Sequence, residues 1–412
     1  MTGTRAWRPL VPGPRAVTLM LTTRCNLSCA YCPQRRGPPR EMSEATLEAA
    51  VRLVAASGHP RPKLVLFGGE PLLAKGLVRR ALAVLAGNAR KGLAPDVRLV
   101  TNGLLLDEET LDLLEEHGVA VELSCDGLPE AQERRGPGTA PLLADLLHRL
   151  ASRRPEFLAS RLVVRATLDS GNVALFSSSF ASLAAAGVRE FLPALVNTPD
   201  PGWNDAAAAR LDKELGLVVL ASLRLAASGG GLPFVPFRPE AARRPALTTP
   251  ACSLGAPDVL FVDVDGAVSP CGAFADSVHP VLPPLAEEIR EPLRGVRVGE
   301  PRLAERLARR WQATAVLPAL RPTPVRRSPR GACASCAALA DCSVCPASIA
   351  LAPEQDAGLV PASQCDLSRL MAKHRRAFLV RLASWEAALQ RSGRRSSAPA
   401  TSAATPARID GA

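Results

Sequence analysis

Tyrosine occurs once in the 412-residue chain and tryptophan four times. Only five of the 50 basic residues are lysine; the rest are arginine, against 39 acidic residues, for a net charge of +11. No basic stretch is interleaved with aromatic rings, so the surplus lacks the stacking platform that single-stranded nucleic acid requires. The arginine, with abundant alanine and proline, reads as the codon bias of a GC-rich genome, and no nucleic-acid partner is expected. No apolar run approaches the roughly 18–20 residues of a membrane span; the longest candidate, Leu215 to Leu225, is broken by Arg224. The first fifteen residues, Met1 to Arg15, are rich in Pro and Arg and have no apolar core of a secretion signal. No membrane partner and a cytoplasmic location are therefore expected. The five histidines, His59, His117, His148, His279 and His374, form no ligand-spaced pair. Against these absences stand a 47% hydrophobic content, which excludes wholesale disorder, and eleven cysteines. The odd count, the chain length and the missing signal argue against a secreted disulfide scaffold. The thiols are expected to stay reduced or to hold metal.

From Ala16 to Asn197, strand-like runs alternate with helix-like segments. The strand candidates are Val17–Leu21, Lys63–Phe67, Asp96–Thr101, Val119–Ser124, Arg161–Leu168 and Val188–Val196. Helical patterns lie between them, such as Glu44–Ala56, Leu72–Ala86 and Glu108–Glu116, with Ser43 and Asp107 placed to cap the first and third. Six β-α repeats predict an α/β fold, a partial (β/α)6 TIM-type barrel, with a doubly wound sheet as the alternative geometry. The expected domains are a core over 1–200, a helix and Gly/Pro-rich linker over 201–251, a cysteine-rich C-terminal domain over 252–390 and a disordered tail over 391–412. Within the third, Val259–Val264 and Ala267–Ser269 flank the hairpin signal Asp265-Gly266. Asp366 is placed to cap a last helix reaching about Leu389, and Arg321–Arg330, with four Arg and three Pro, reads as an exposed loop.

Directly after the first strand comes Cys25-Asn26-Leu27-Ser28-Cys29-Ala30-Tyr31-Cys32. Three thiolates on one short loop suit three corners of a cubane iron–sulfur cluster and leave the fourth iron to a substrate or cofactor. A zinc knot is the other reading, although zinc sites usually pair cysteines and close the shell with a fourth ligand.

The C-x3-C-x2-C segment resembles the signature of the radical S-adenosylmethionine (radical SAM) enzymes. Further pieces fall in that family's order: Gly68-Gly69-Glu70-Pro71 after the second strand, Thr101-Asn102-Gly103 after the third, Ser124-Cys125-Asp126-Gly127 after the fourth, and Arg165 on the fifth. The resemblance covers about residues 16–200. It implies a 4Fe–4S cluster on Cys25, Cys29 and Cys32 and S-adenosylmethionine as cofactor. Gly68, Gly69, Glu70, Pro71 and Asn102 would lie against that cofactor. The glycines are expected to let the backbone approach the ligand and Glu70 to accept from its ammonium. Ser124 and Arg165 would hold its carboxylate or ribose. Cys125 reads as a packed thiol.

Seven cysteines follow: Cys252, Cys271, Cys333, Cys336, Cys342, Cys345 and Cys365. Their pattern resembles the SPASM extension behind radical SAM barrels in peptide maturases, which implies two auxiliary 4Fe–4S clusters. By motif position Cys333, Cys336, Cys342 and Cys365 would hold the distal one, and Cys252, Cys271 and Cys345 three corners of the proximal one. The stretch Arg244–Ala251 lacks the extra cysteine of fully ligated relatives, so an open proximal iron is expected. Where sulfatase maturases carry an acidic residue after the cysteine matching Cys271, this chain has Gly272, with Asp276 nearby.

The resemblance implies reductive cleavage of S-adenosylmethionine and hydrogen abstraction by a 5′-deoxyadenosyl radical. The expected substrate is a ribosomally made precursor peptide that becomes cross-linked, thioether-bridged or oxidised. Expected partners are an electron donor such as flavodoxin or ferredoxin and a separate peptide-recognition protein, or else the Arg321–Arg330 loop in its place, since few residues precede the first strand. Dehydrogenation of a small molecule, action on a sulfatase-type residue, and a non-catalytic zinc-stapled binding protein are the competing readings.

Overall fold

A computed structural model describes residues 14–34, 37–59, 61–88, 95–239, 258–300, 303, 305–307, 326–342 and 344–391. Alternation of apolar and half-polar residues makes six two-faced strands: β1 Ala16–Met20, β2 Lys63–Phe67, β3 Asp96–Thr101, β4 Ala120–Ser124, β5 Leu162–Leu168 and β6 Phe191–Leu195. One face of each strand, with Leu19, Leu66, Leu99, Leu123 and Val164, is wholly buried. It packs against the apolar stripes of α1 Glu44–Ala55, α2 Lys75–Asn88, α3 Glu108–Glu116, α4 Ala140–Arg153 and α5 Phe176–Ala185. The other face carries Thr18, Val65, Arg98, Glu122, Ser124 and Arg165, all half-buried.

Each strand lies parallel to its sequence neighbour, in the order β6-β5-β4-β3-β2-β1. A doubly wound sheet would reverse its order about a switch point. This one does not, so the barrel-type winding holds. The sheet is open: it ends at β6 on one side and at a hairpin on the other. That hairpin, β7 Val259–Val262 and β8 Val268–Ser269, forms at Asp265-Gly266 as expected, with Gly266 at φ +85°. β7 runs parallel to β1, so the same sheet continues past residue 252.

Ser43 Oγ accepts from Thr46 N (3.2 Å) and Asp107 Oδ1 from Thr110 N (2.9 Å), so both expected caps form. The segment expected as one helix from Leu72 is a 3-10 turn over Pro71–Ala74 followed by α2. Helix α6 spans Asp205–Ala227 and α7 spans Ala362–Arg391. Asp366 is therefore inside α7 and not its cap. It is buried and accepts from Trp203 Nε1 (3.1 Å) and from Arg330 Nε and Nη2 (2.8 Å each). Phe176, Phe180, Phe191, Phe234, Phe237 and Phe378 form a continuous ring cluster that docks α7 against β6. A separate small core gathers Phe274, Leu285, Ile289, Ile349 and Cys365, with Cys271, Cys333, Cys342 and Cys345 packed at its edge.

Candidate functional site

The Cys25–Cys32 loop leaves the C-terminal end of β1 and is held by the ends of the next strands. Gly69 N donates to Thr22 O (2.8 Å) and Glu70 N to Arg24 O (2.7 Å). A Cβ on Gly69 would lie 2.3 Å from Arg24 O, and one on Gly68 2.8 Å from Thr22 O. The glycines thus let the chain's own backbone approach at the root of the cysteine loop. Asn102 Nδ2, at the end of β3, donates to Asn26 Oδ1 (2.7 Å) inside the loop, and Ala30 N donates to Arg134 O (2.7 Å) beyond β4.

Glu70 is fully buried and its carboxylate takes three protein donors: Leu72 N (3.0 Å), Thr101 Oγ1 (2.8 Å) and Asn102 N (2.8 Å). Burial pushes its pKa up against those three bonds. These bonds give the carboxylate a structural task beside its expected one. Its side chain ties the ends of β2 and β3 together.

A network that sequence reading missed lies beneath the loop. Tyr31 Oη donates to Asp126 Oδ2, and Thr167 N donates to Asp126 Oδ1 (2.8 Å). Arg135 Nη2 stands 3.0 Å from Asp126 Oδ1 and donates to Arg165 O and Thr167 Oγ1 (3.2 Å each), with the guanidinium 5.4 Å from the Tyr31 ring centre. Burial, opposed by Arg135, pushes the Cys29 thiol up to about 11, and Cys32 and Cys25 add to the rise. Cys29 thus feels both other thiols and the Arg135 cation. Cys25 and Cys32 are exposed and Cys29 half-buried. Asp126 stood in plain view in Ser-Cys-Asp-Gly, but nothing in the sequence joins Arg135 to a loop a hundred residues earlier.

Ser124 and Arg165 are register partners on the half-polar face, as their expected joint role requires. Arg165 is not presented alone, however: Nε donates to Glu122 Oε1 (2.8 Å), while Arg98 Nη1 reaches Glu122 Oε2 (3.2 Å). Burial would raise the Glu122 pKa, yet Arg165 and Arg98 outweigh it and hold the carboxyl below its usual range.

In the C-terminal region the four cysteines assigned to one set come together. Cys333 is acted on by Cys365 and Cys336, Cys342 by Cys365 and Cys333, and Cys365 by Cys336; burial, the first cause in each case, pushes all three thiols up. Arg326 lies 3% exposed beside Cys342 and Cys333, and burial lowers its pKa to about 10 against their pull. The Arg321–Arg330 stretch is thus not an open basic loop over its described part. Arg326 is buried, Arg327 pairs with Asp356 and Arg330 with Asp366 and Asp205. Cys271 and Cys345 share the small core's edge, whereas Cys252 and the Arg244–Ala251 stretch lie outside the described residues. Asp276 points outward, 69% exposed and paired with Arg290. Cys125 is buried in the main core, as expected of a packed thiol. None of the ten described cysteines is in a disulfide. Among the described residues no three His, Cys, Asp or Glu side chains converge on a single-ion position.

The donor chemistry fits an iron–sulfur cluster in both places: three thiols on one short loop, and Cys333, Cys342 and Cys365 gathered at an apolar core with Cys336 next to Cys333. Arg135 Nε, next to this loop through the Tyr31 ring, is a buried N–H without a partner.

Residues 19–160 match the family model described as Radical SAM superfamily. The chain is 37% identical over 119 residues to a serine-type anaerobic sulfatase-maturating enzyme of Klebsiella aerogenes, a stretch that is 27% of this chain and 29% of that one. It is 36% identical over 180 residues to a GTP 3′,8-cyclase of Parasynechococcus marenigrum, 40% of this chain and 50% of that one. The matched segment thus spans half or less of these relatives. Among solved structures, anSMEcpe with bound AdoMet and the Cp18Cys peptide superposes with a TM-score of 0.65 at 16% identity, over 90% of this chain and 99% of that one. SuiB of Streptococcus suis with S-adenosylmethionine gives 0.56 at 14% identity, over 86% and 77%. These two likenesses are of fold.

Proposed function

We propose that this chain, whose residues 19–160 form a radical SAM domain, is an enzyme that matures a ribosomally made peptide. One observation carries the reading: a three-cysteine loop pinned at the C-terminal mouth of a barrel-type sheet, with a separate four-cysteine set in the same chain. That mouth is where β/α barrels place chemistry.

Cys25, Cys29 and Cys32 would hold the first cluster, Cys333, Cys336, Cys342 and Cys365 the distal one, and Cys252, Cys271 and Cys345 the proximal one. When bound, the first cluster and S-adenosylmethionine supply reductive cleavage to a 5′-deoxyadenosyl radical that takes a hydrogen from the substrate. The chain's own share is placement. Glu70 and Asn102 fix the loop against β2 and β3, and the backbone over Gly68–Pro71 lines the cofactor's side of the mouth. Ser124 and Arg165 stand side by side to receive its carboxylate or ribose, with Glu122 orienting Arg165. Met20, Phe67, Phe261 and Val264 pack where the sheet meets the hairpin and keep water from that side. The division into a core over 1–200, a linker over 201–251 and an auxiliary region over 252–390 belongs to the same proposal, with β7 donated back to the core sheet.

Peptide substrates are supported by the likeness to anSMEcpe with its Cp18Cys peptide and to SuiB, which is also described with its precursor peptide SuiA. A sulfatase-type substrate is the second reading, favoured by the Klebsiella match. Against it, Gly272 replaces the acidic residue and Asp276 faces solvent. Anaerobic co-expression with a short peptide encoded beside the gene, followed by mass spectrometry, tests the proposal. A 2 Da loss is expected for a cross-link or desaturation. An unmodified peptide together with formylglycine formation on a sulfatase peptide would replace it with the second reading.

A further inference from the structure

Arg135 is 7% exposed, and its Nη2 is shared among Asp126, Arg165 O and Thr167. Its Nε is buried and has no acceptor. Buried N–H groups on a guanidinium are normally satisfied, and an exception signals a partner that binds there. Arg135 is tied to the cysteine loop at two points next to Cys29: its guanidinium lies against the Tyr31 ring, and Ala30 N donates to Arg134 O (2.7 Å). Tyr31 and Asp126 are already spent on each other and on Thr167 N. The remaining neighbour is the cysteine set, whose sulfurs become hydrogen-bond acceptors when they hold iron.

Resting on the cluster reading above, we propose that Arg135 is a positioning residue for the first cluster: its Nε–H donates to a sulfur at the Cys29 corner, and its charge, held in place by Asp126, sets the cluster's reduction potential. A cation and an N–H···S bond both favour the reduced, more negative cluster, so they raise the potential. Asp126 opposes part of that effect because it sits 3.0 Å from Arg135 Nη2. The two residues must therefore act with opposite sign, which a merely structural pair would not do.

The test is a midpoint potential, measured by EPR-monitored redox titration of the anaerobically reconstituted full chain without peptide. To isolate the first cluster, the chain also carries Ala at Cys333, Cys365 and Cys271. Arg135→Gln is expected to shift the reduction equilibrium about tenfold towards the oxidised form, about 59 mV lower for one electron. Asp126→Asn is expected to shift it upward, and Arg135→Lys to fall between wild type and Arg135→Gln. Unchanged potentials, or shifts of the same sign in Arg135→Gln and Asp126→Asn, overturn the proposal. If Arg135→Gln assembles no cluster, the sign for Asp126→Asn decides. If the wild-type chain, with every cysteine and Arg135 intact, assembles none, the cluster reading itself fails, which is a different result.

Discussion

The two cysteine regions reach similar chemistry by opposite routes. In the first, three thiols lie within eight residues, and the fold's work is to pin a ready-made loop: backbone bonds from Gly69 and Glu70, a side-chain bond from Asn102, and the Tyr31–Asp126–Arg135 network. In the second, a short run and the first turns of α7 must be docked before four thiols meet, and an apolar core with Phe274 and Ile349 does the docking. Each region places a buried arginine beside its thiols, but differently. Arg135 is neutralised by Asp126, while Arg326 is acted on by Cys342 and Cys333 and is pushed down by burial. A local motif needs its surroundings only for tuning; a dispersed one needs the fold to exist at all.

That contrast can be broken most sharply by removing each set. Replacing Cys25, Cys29 and Cys32 together by Ala is expected to abolish 5′-deoxyadenosine formation and to lower iron from about 12 to about 8 per chain, with the rest of the fold intact by circular dichroism. Replacing Cys333 and Cys365 is expected to remove a similar share of iron yet leave S-adenosylmethionine cleavage measurable by chromatography, with peptide modification lost. Loss of cleavage in that variant would erase the distinction between the regions.

A smaller effect tests the pinning. Gly69→Ala puts a methyl 2.3 Å from Arg24 O, and overpacking of this kind costs about 1–3 kcal/mol. Thermal unfolding should drop, and the first cluster should be lost on chelation faster than the auxiliary ones. An unchanged melting temperature would mean that the loop root is loose. The smallest effect concerns Glu122. Its pKa is lowered in the folded chain, so its stabilisation is complete above the ordinary value of 4.5 and is lost as pH falls through the folded-state value. Glu122→Gln should flatten the acid limb of stability against pH by on the order of 1 kcal/mol or less, since the cluster is partly solvated. A limb as steep as in the wild type would place the acid sensitivity elsewhere.

Much of the fold was legible because period-2 strands alternate with capped amphipathic helices; α3 falls on the expected residues, and Ser43 and Asp107 cap as expected. What was not legible is non-local. That β7 joins β1 depends on a pairing over more than 240 residues. Asp366 looks like a cap in sequence, but its carboxylate is claimed by Arg330 and Trp203 from other elements. The same holds at the site. The cysteine spacings, Gly68–Pro71, Ser124 and Arg165 could be picked out, whereas the Ser124–Arg165 register, Glu70's three donors and Arg135's reach under Tyr31 are products of tertiary placement.

The most direct measurement is 5′-deoxyadenosine production by the anaerobically reconstituted wild-type chain with S-adenosylmethionine and a strong reductant, alongside its iron content. The account predicts the nucleoside together with about 12 Fe per chain, and none of it in Cys29→Ala. A wild-type protein that binds zinc in place of iron, or that carries full iron and makes no 5′-deoxyadenosine, would contradict it.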